Sequence, residues 1–178
     1  VARCVGEFWT RLCESELEGA FELGVTPEEM VADGIGMGKA LQLVNILRDV
    51  GKDMALGRCY LPEEMWRAAG VQDAEELKGK SQMLKPVWEH WAGVCDEHLD
   101  KGLRYVCRLQ HGKLRYATAL PLMLAFGTLK KLRATSWSEL LSGVKVSRLD
   151  VARLLSETLI TSRSASAPWS AARWPWRW

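Results

Sequence analysis

Gln42, Asn45, Asp49 and Asp53 stand at i, i+3, i+7 and i+11 within "MGKALQLVNILRDVGKDMALGRCYLP", residues 37–62. On an α-helix that spacing stacks all four on one face. Carboxylates ~6 Å apart repel by roughly 3 kcal/mol at an effective dielectric near 20, whereas an exposed like-charged pair on a helix costs only a few tenths. The stripe therefore has two readings. A solvated face tolerates it. A face lining a cavity needs a cation, and hard oxygen ligands one turn apart suit Mg²⁺ held jointly by protein and a diphosphate. Spacing alone does not choose between them.

The helix that carries this stripe is announced by its own start signal. Thr26-Pro27-Glu28-Glu29 offers an N-cap threonine, a proline at the first helical position and a glutamate able to return a bond to the cap. Asp73 with Glu76 and Ser136 with Glu139 repeat the device. Apolar residues recur at three and four: Leu41, Val44, Leu47 and Val50; Val87, Trp91 and Val94; Ala119, Leu122, Phe126 and Leu129. Strand-like alternation is absent. The chain is accordingly predicted to be all-α, with helices over roughly 1–23, 27–54, 62–69, 73–110 (broken near Pro86), 112–133 and 136–160. Residues 161–178 switch to an aperiodic Ser/Ala/Arg/Trp mixture, predicted to be disordered, so the organisation expected is a helical domain over 1–160 and a tail.

Bulk properties bound the function classes. With 178 residues, 48% apolar and 26% charged, the chain has material for one domain with a core. Its formal charge is +2, but the last eighteen residues hold three arginines and no acid, leaving −1 for the rest, which gives no nucleic-acid surface. Five scattered cysteines without a C-x-x-C pair argue against a disulfide framework or a zinc site and fit a reducing cytosol, where they would serve as core filler. The uncharged stretch through Ala117 to Leu129 falls short of the ~20 apolar residues a membrane span needs. Trp169, Trp174, Trp176 and Trp178 among arginines could rest on an anionic membrane surface or form an extension without function.

The surroundings of the acidic pair tip the balance. Ala40-Leu41-Gln42, Asn45-Ile46-Leu47-Arg48-Asp49, Asp53, then Gly57-Arg58, Tyr60 and Pro62 closely resemble the second aspartate-rich motif of the squalene/phytoene synthase family, the head-to-head prenyl transferases. "VARCVG" at 1–6, "ALPLMLAFGTLKKL" and "VKVSRLDV" resemble further segments of that family, so the likeness covers nearly everything but the tail. The resemblance implies a helical isoprenoid-synthase-like bundle. It implies Asp49, Asp53 and Tyr60 as catalytic, Asp49 and Asp53 as metal ligands with Asn45 in support, Arg48, Arg58 and Tyr60 on diphosphate oxygens, and Gln42 and Asn45 in the substrate site. It also implies a prenyl diphosphate substrate, Mg²⁺ and, in the squalene branch, NADPH; the motif is more similar to bacterial squalene synthases than to phytoene synthases. A dry cavity lined by Leu41, Val44 and Leu122 would shield an allylic cation.

Departures from the family pattern are specific. Lys52 stands where many members carry an acid, within reach of Asp49 along the helix. Arg3 replaces a glycine and is expected to crowd a close helix contact. The family's first aspartate-rich motif belongs to helices upstream of Val1, so a non-catalytic remnant or partner subunit that binds diphosphate is the alternative of another class. The remaining candidates read as structural. "DEHLD", Asp96 to Asp100, is expected to be a solvated face. His90, His98 and His111 are expected to be exposed, and Gly34, Gly36 and Gly38 follow no strand and so promise helix packing or room for an isoprenoid rather than a dinucleotide loop.

Overall fold

The computed structural model describes residues 2–73 and 75–144, and over these the chain is a bundle of helices. The order is α1 (Ala2–Glu16), α2 (Pro27–Ala55), α3 (Glu63–Ala68), two 3₁₀ turns (Glu75–Leu77 and Ser81–Leu84), α4 (Lys85–Arg108), α5 (Gly112–Ala134) and α6 (Trp137–Ser142). The tail at 161–178, and the part of the last predicted helix beyond 144, lie outside the described residues.

Two of the three start signals work as read. Thr26 accepts from the Glu29 amide while Glu29 returns a bond to the Thr26 amide, and Ser136 and Glu139 repeat the box at α6. Asp73 also caps, taking the amides of Glu75 and Glu76 at 3.0 Å each, yet it opens only a 3₁₀ turn. The helix predicted over 73–110 therefore begins at Lys85, and Pro86 lies in its first turn, where a missing amide hydrogen costs nothing. The helix predicted over 1–23 stops at Glu16. Gly19 (φ 64°) and Gly24 (φ 86°) turn the chain back, and Phe21 pairs with Leu109 in an isolated antiparallel bridge.

α2 is the axis of the bundle, packed against α1, α4, α5 and α6. Its buried seam runs Met30, Met37, Ala40, Val44, Leu47, Val50 and Met54, a three-and-four spacing that meets Trp88, Leu99 and Tyr105 of α4 and Leu122 and Leu129 of α5. The α1–α2 crossing is backbone against backbone. A Cβ on Gly6 would run into the Gly34 carbonyl, and one on Gly38 into the Ala2 carbonyl. Thr10, fully buried, fills the crossing by donating to the Gly6 carbonyl at 2.8 Å, with its oxygen 3.1 Å from the Tyr105 hydroxyl, which can donate to it. Arg3 crowds nothing, because it points to solvent and the close contact falls to Gly6. On the far side, buried Asp33 ties α2 to α4 through Arg104 (2.9 Å) and Arg108 (3.3 Å).

Candidate active site

The turn of α2 that carries the acidic pair is held from behind by two aromatic contacts. Trp88 of α4, buried, donates its indole N–H to the Leu47 carbonyl at 3.0 Å, immediately before Arg48 and Asp49. Its ring meets Trp137 of α6 edge-to-face, with centroids 6.2 Å apart at 67°. Gly51, between the two aspartates, is the seat of α6: a Cβ there would overlap the Leu141 backbone. Any larger residue at 51 would lift α6 away from α2.

Because α6 is seated there, a cleft of about 750 Å³ opens beside the acidic turn, walled by Arg48, Asp49, Gly51 and Lys52 on α2 and by Leu141 to Val144 opposite. Asp49 is half-buried at its mouth. Arg48 grips both its oxygens, Nε to Oδ1 at 3.2 Å and Nη2 to Oδ2 at 2.8 Å. This two-pronged bond is the main cause holding the Asp49 carboxyl below its usual range, and it raises Arg48 in turn. Asp49 is thus ionised at neutral pH. Lys52 adds a smaller attraction to Asp49 without forming an ion pair.

The rest of the stripe is less enclosed. Asp53 is half-buried, whereas Gln42 and Asn45 are exposed. After α2, Gly57 (φ 71°) reverses the chain and the Arg58 amide donates to the Asp53 carbonyl at 2.8 Å, so the "GRCYLP" loop folds back onto the end of α2. Arg58 and Tyr60 emerge from it exposed, while Leu61 anchors it in the core. The structure therefore brings Arg48 to Asp49 and the loop backbone to Asp53. No side-chain hydrogen bond among the described residues joins Gln42, Asn45, Arg58 or Tyr60 to either aspartate.

These donors fit a divalent cation of one kind. No group of three or more His, Cys, Asp or Glu that could hold a metal exists among the described residues, so the chain offers the carboxylates Asp49 and Asp53 and no dedicated cage. One or two carboxylates completed by substrate phosphates is the usual Mg²⁺ arrangement. Gly34, Gly36 and Gly38 form no dinucleotide loop, since they lie inside α2 and face Thr10, Lys101 and Ala2.

A second hollow, an apolar groove of about 250 Å³, lies among α1, α2 and α5, with Val5, Trp9, Met37, Leu41 and Pro121 on its walls. Leu41 lines it as expected, but Val44 and Leu122 do not: they are 4% and 0% exposed and belong to the core. Pro121 withholds an amide from the Ala117 carbonyl one turn back, and the Thr118 hydroxyl nearby is buried without a partner.

The other sequence candidates resolve as follows. Asp96 is only partly solvated, with a side chain 38% exposed and paired with Arg133 of α5. His98 is half-buried, with Nδ1 unpartnered and its pKa lowered by burial and by Lys101 and Lys39, whereas His90 and His111 are exposed. Cys13 and Cys95 fill the core, Cys59 and Cys107 are half-buried, and Cys4 is exposed, so filler describes only some of the five. Sequence reading missed Gly51, Trp88 and the α6 wall. A glycine inside a strongly helical pattern, between two acids, was the available signal of close backbone approach.

Comparison with known proteins places the fold and the family. The squalene/phytoene synthase family model matches residues 1–150. Phytoene synthase of Thermus thermophilus is 31% identical over 142 residues, covering 79% of this chain and 48% of that protein. Presqualene diphosphate synthase of Zymomonas mobilis is 32% identical over 128 residues, covering 71% and 43%. The solved complex of TcSQS with the ligand BPH1237 superposes with a TM-score of 0.72 at 22% identity, over 90% of this chain and 49% of that one. The chain belongs to the squalene/phytoene synthase family, and it spans about half the length of these relatives.

Proposed function

We propose that this chain carries the second metal half-site of a prenyltransferase that condenses two prenyl diphosphates head to head, farnesyl diphosphate to presqualene diphosphate and squalene. The observation that carries the reading is the ionised, half-buried Asp49 at the mouth of a cleft, one turn from Asp53 and gripped by Arg48. Asp49 and Asp53, with Asn45 in support, would hold Mg²⁺, which when bound supplies positive charge to the departing diphosphate. Arg48 can exchange its carboxylate for diphosphate oxygens without losing a bidentate partner. Arg58 and Tyr60, exposed on the loop at the end of α2, would reach the same oxygens, with Gln42 further along the stripe. The apolar groove beside Leu41 has the character an isoprenoid tail needs, and its walls would keep water from an allylic cation. Supplying the intact protein with farnesyl diphosphate and Mg²⁺ should give presqualene diphosphate, and a thirty-carbon hydrocarbon once NADPH is added. Failure to form either, with Asp49→Ala indistinguishable from wild type, sinks the reading.

The likeness to the Thermus phytoene synthase favours a second reading, in which the substrate is a longer prenyl diphosphate and the reaction ends by proton loss. Product analysis with farnesyl against geranylgeranyl diphosphate separates the two. Should the chain bind Mg²⁺ and diphosphate yet never turn over, a non-catalytic diphosphate-binding subunit is the reading that survives.

A further inference from the structure

The cleft between α2 and α6 has two cations on its α2 wall, Arg48 and Lys52, one helical turn apart, against a single anion, Asp49. They are not equivalent. Arg48 already holds the Asp49 carboxylate through Nε and Nη2. Lys52 is exposed and makes no ion pair among the described residues, so it lines the cleft as the uncommitted charge. The opposite wall, from Leu141 through Ser142 and Gly143 to Val144, contributes no acid. The wall is a built feature, because α6 can lie that close only where residue 51 has no side chain.

We propose that Lys52 is a diphosphate ligand of this cleft, supplying counter-charge that magnesium would otherwise have to provide. The inference rests on the reading of Asp49 and Asp53 as a magnesium half-site and adds a specificity to it. An ammonium on a flexible stem can follow a phosphate oxygen across the cleft without fixed geometry. It also repels a metal ion bound only to Asp49, so it favours magnesium that arrives together with diphosphate over magnesium alone. An acid at this position would do the opposite, drawing metal in first. The chain should therefore take up diphosphate at magnesium levels too low to fill the aspartates by themselves.

Calorimetric titration of the chain with inorganic diphosphate, at low and at saturating magnesium, tests this. Lys52 is exposed, so its variants should keep the helix content and melting temperature of the wild type, which circular dichroism checks. Lys52→Met is expected to weaken diphosphate binding about tenfold at low magnesium and much less at saturation. Lys52→Glu should weaken it further at low magnesium while binding magnesium alone more tightly, and Lys52→Arg should restore the wild-type pattern. Asp49→Asn is the control for the underlying reading and should lose the magnesium dependence altogether. If Lys52→Met and Lys52→Glu bind like wild type at both magnesium levels while Asp49→Asn is impaired, the role of Lys52 is overturned and the metal reading stands. If Asp49→Asn also binds like wild type, both fall.

Discussion

Asp49 is defined by its neighbour. Arg48 lowers its pKa, so the pair contributes stability above the ordinary carboxylate range, and that contribution is lost as pH falls through the lowered folded value. Asp49 is a third exposed, which keeps the amount below about 1 kcal/mol. Arg48→Gln should therefore flatten the acid limb of stability against pH, measured by denaturant midpoints from neutral pH downward without metal. An unchanged acid limb would show that the bond is not populated in solution. Asp33 differs in kind, because its carboxylate is buried between two arginines. Since Arg104 and Arg108 can still reach water, Asp33→Ala should cost about 1–3 kcal/mol in denaturant melts rather than the full penalty of a stranded charge. The thiols sort by burial as well. Burial first, with other causes behind it, pushes Cys95 to about 12 and Cys107 to about 11, so Cys4 should be the fast-reacting thiol in native protein titrated with a chromogenic disulfide at neutral pH.

The acidic turn is positioned by helices that touch it from behind. Trp88→Phe keeps the packing of α4 on α2 but removes the bond to the Leu47 carbonyl, for an expected loss of about 0.5–1.5 kcal/mol in thermal melts. Gly51→Ala should cost more, about 1–3 kcal/mol, since the Leu141 backbone must move, and it should alter the Trp137 environment seen by near-ultraviolet circular dichroism. A melting curve unchanged by Gly51→Ala would mean that α6 does not sit on Gly51. The helices themselves were legible where caps and periodicity agreed: Thr26 and Glu29 announced α2 to the residue, and Ser136 with Glu139 announced α6. Misreadings came where local signals were honest but tertiary partners decided the outcome. Asp73 caps a turn that never lengthens, and the segment after Glu16 leaves the helix because Leu109 offers its backbone a partner. The polar stripe could be read from spacing alone. The cleft could not, because it depends on a glycine seat and on a helix more than eighty residues further along the chain.

Taken together, the fold lays two hollows against one central helix: an apolar groove at Leu41 and a charged cleft at Asp49. Around the groove, α1 presents Val5, Phe8, Trp9 and Leu12, spaced as one face and 39–66% exposed. Such a patch binds apolar probes, so the chain should enhance anilinonaphthalene sulfonate fluorescence, and Phe8→Glu with Leu12→Glu should remove most of that signal while retaining the helix content. Among the described residues no helix is long and apolar enough to cross a membrane. The chemistry assigned to this layout turns on whether the acidic turn takes up metal with diphosphate. The decisive measurement is electron paramagnetic resonance of Mn²⁺, standing in for Mg²⁺, titrated into the chain with inorganic diphosphate. Wild type should show bound Mn²⁺ that Asp49→Asn and Asp53→Asn each lose while remaining folded. Equal Mn²⁺ binding by wild type and both variants would contradict the assignment of this turn as the metal site.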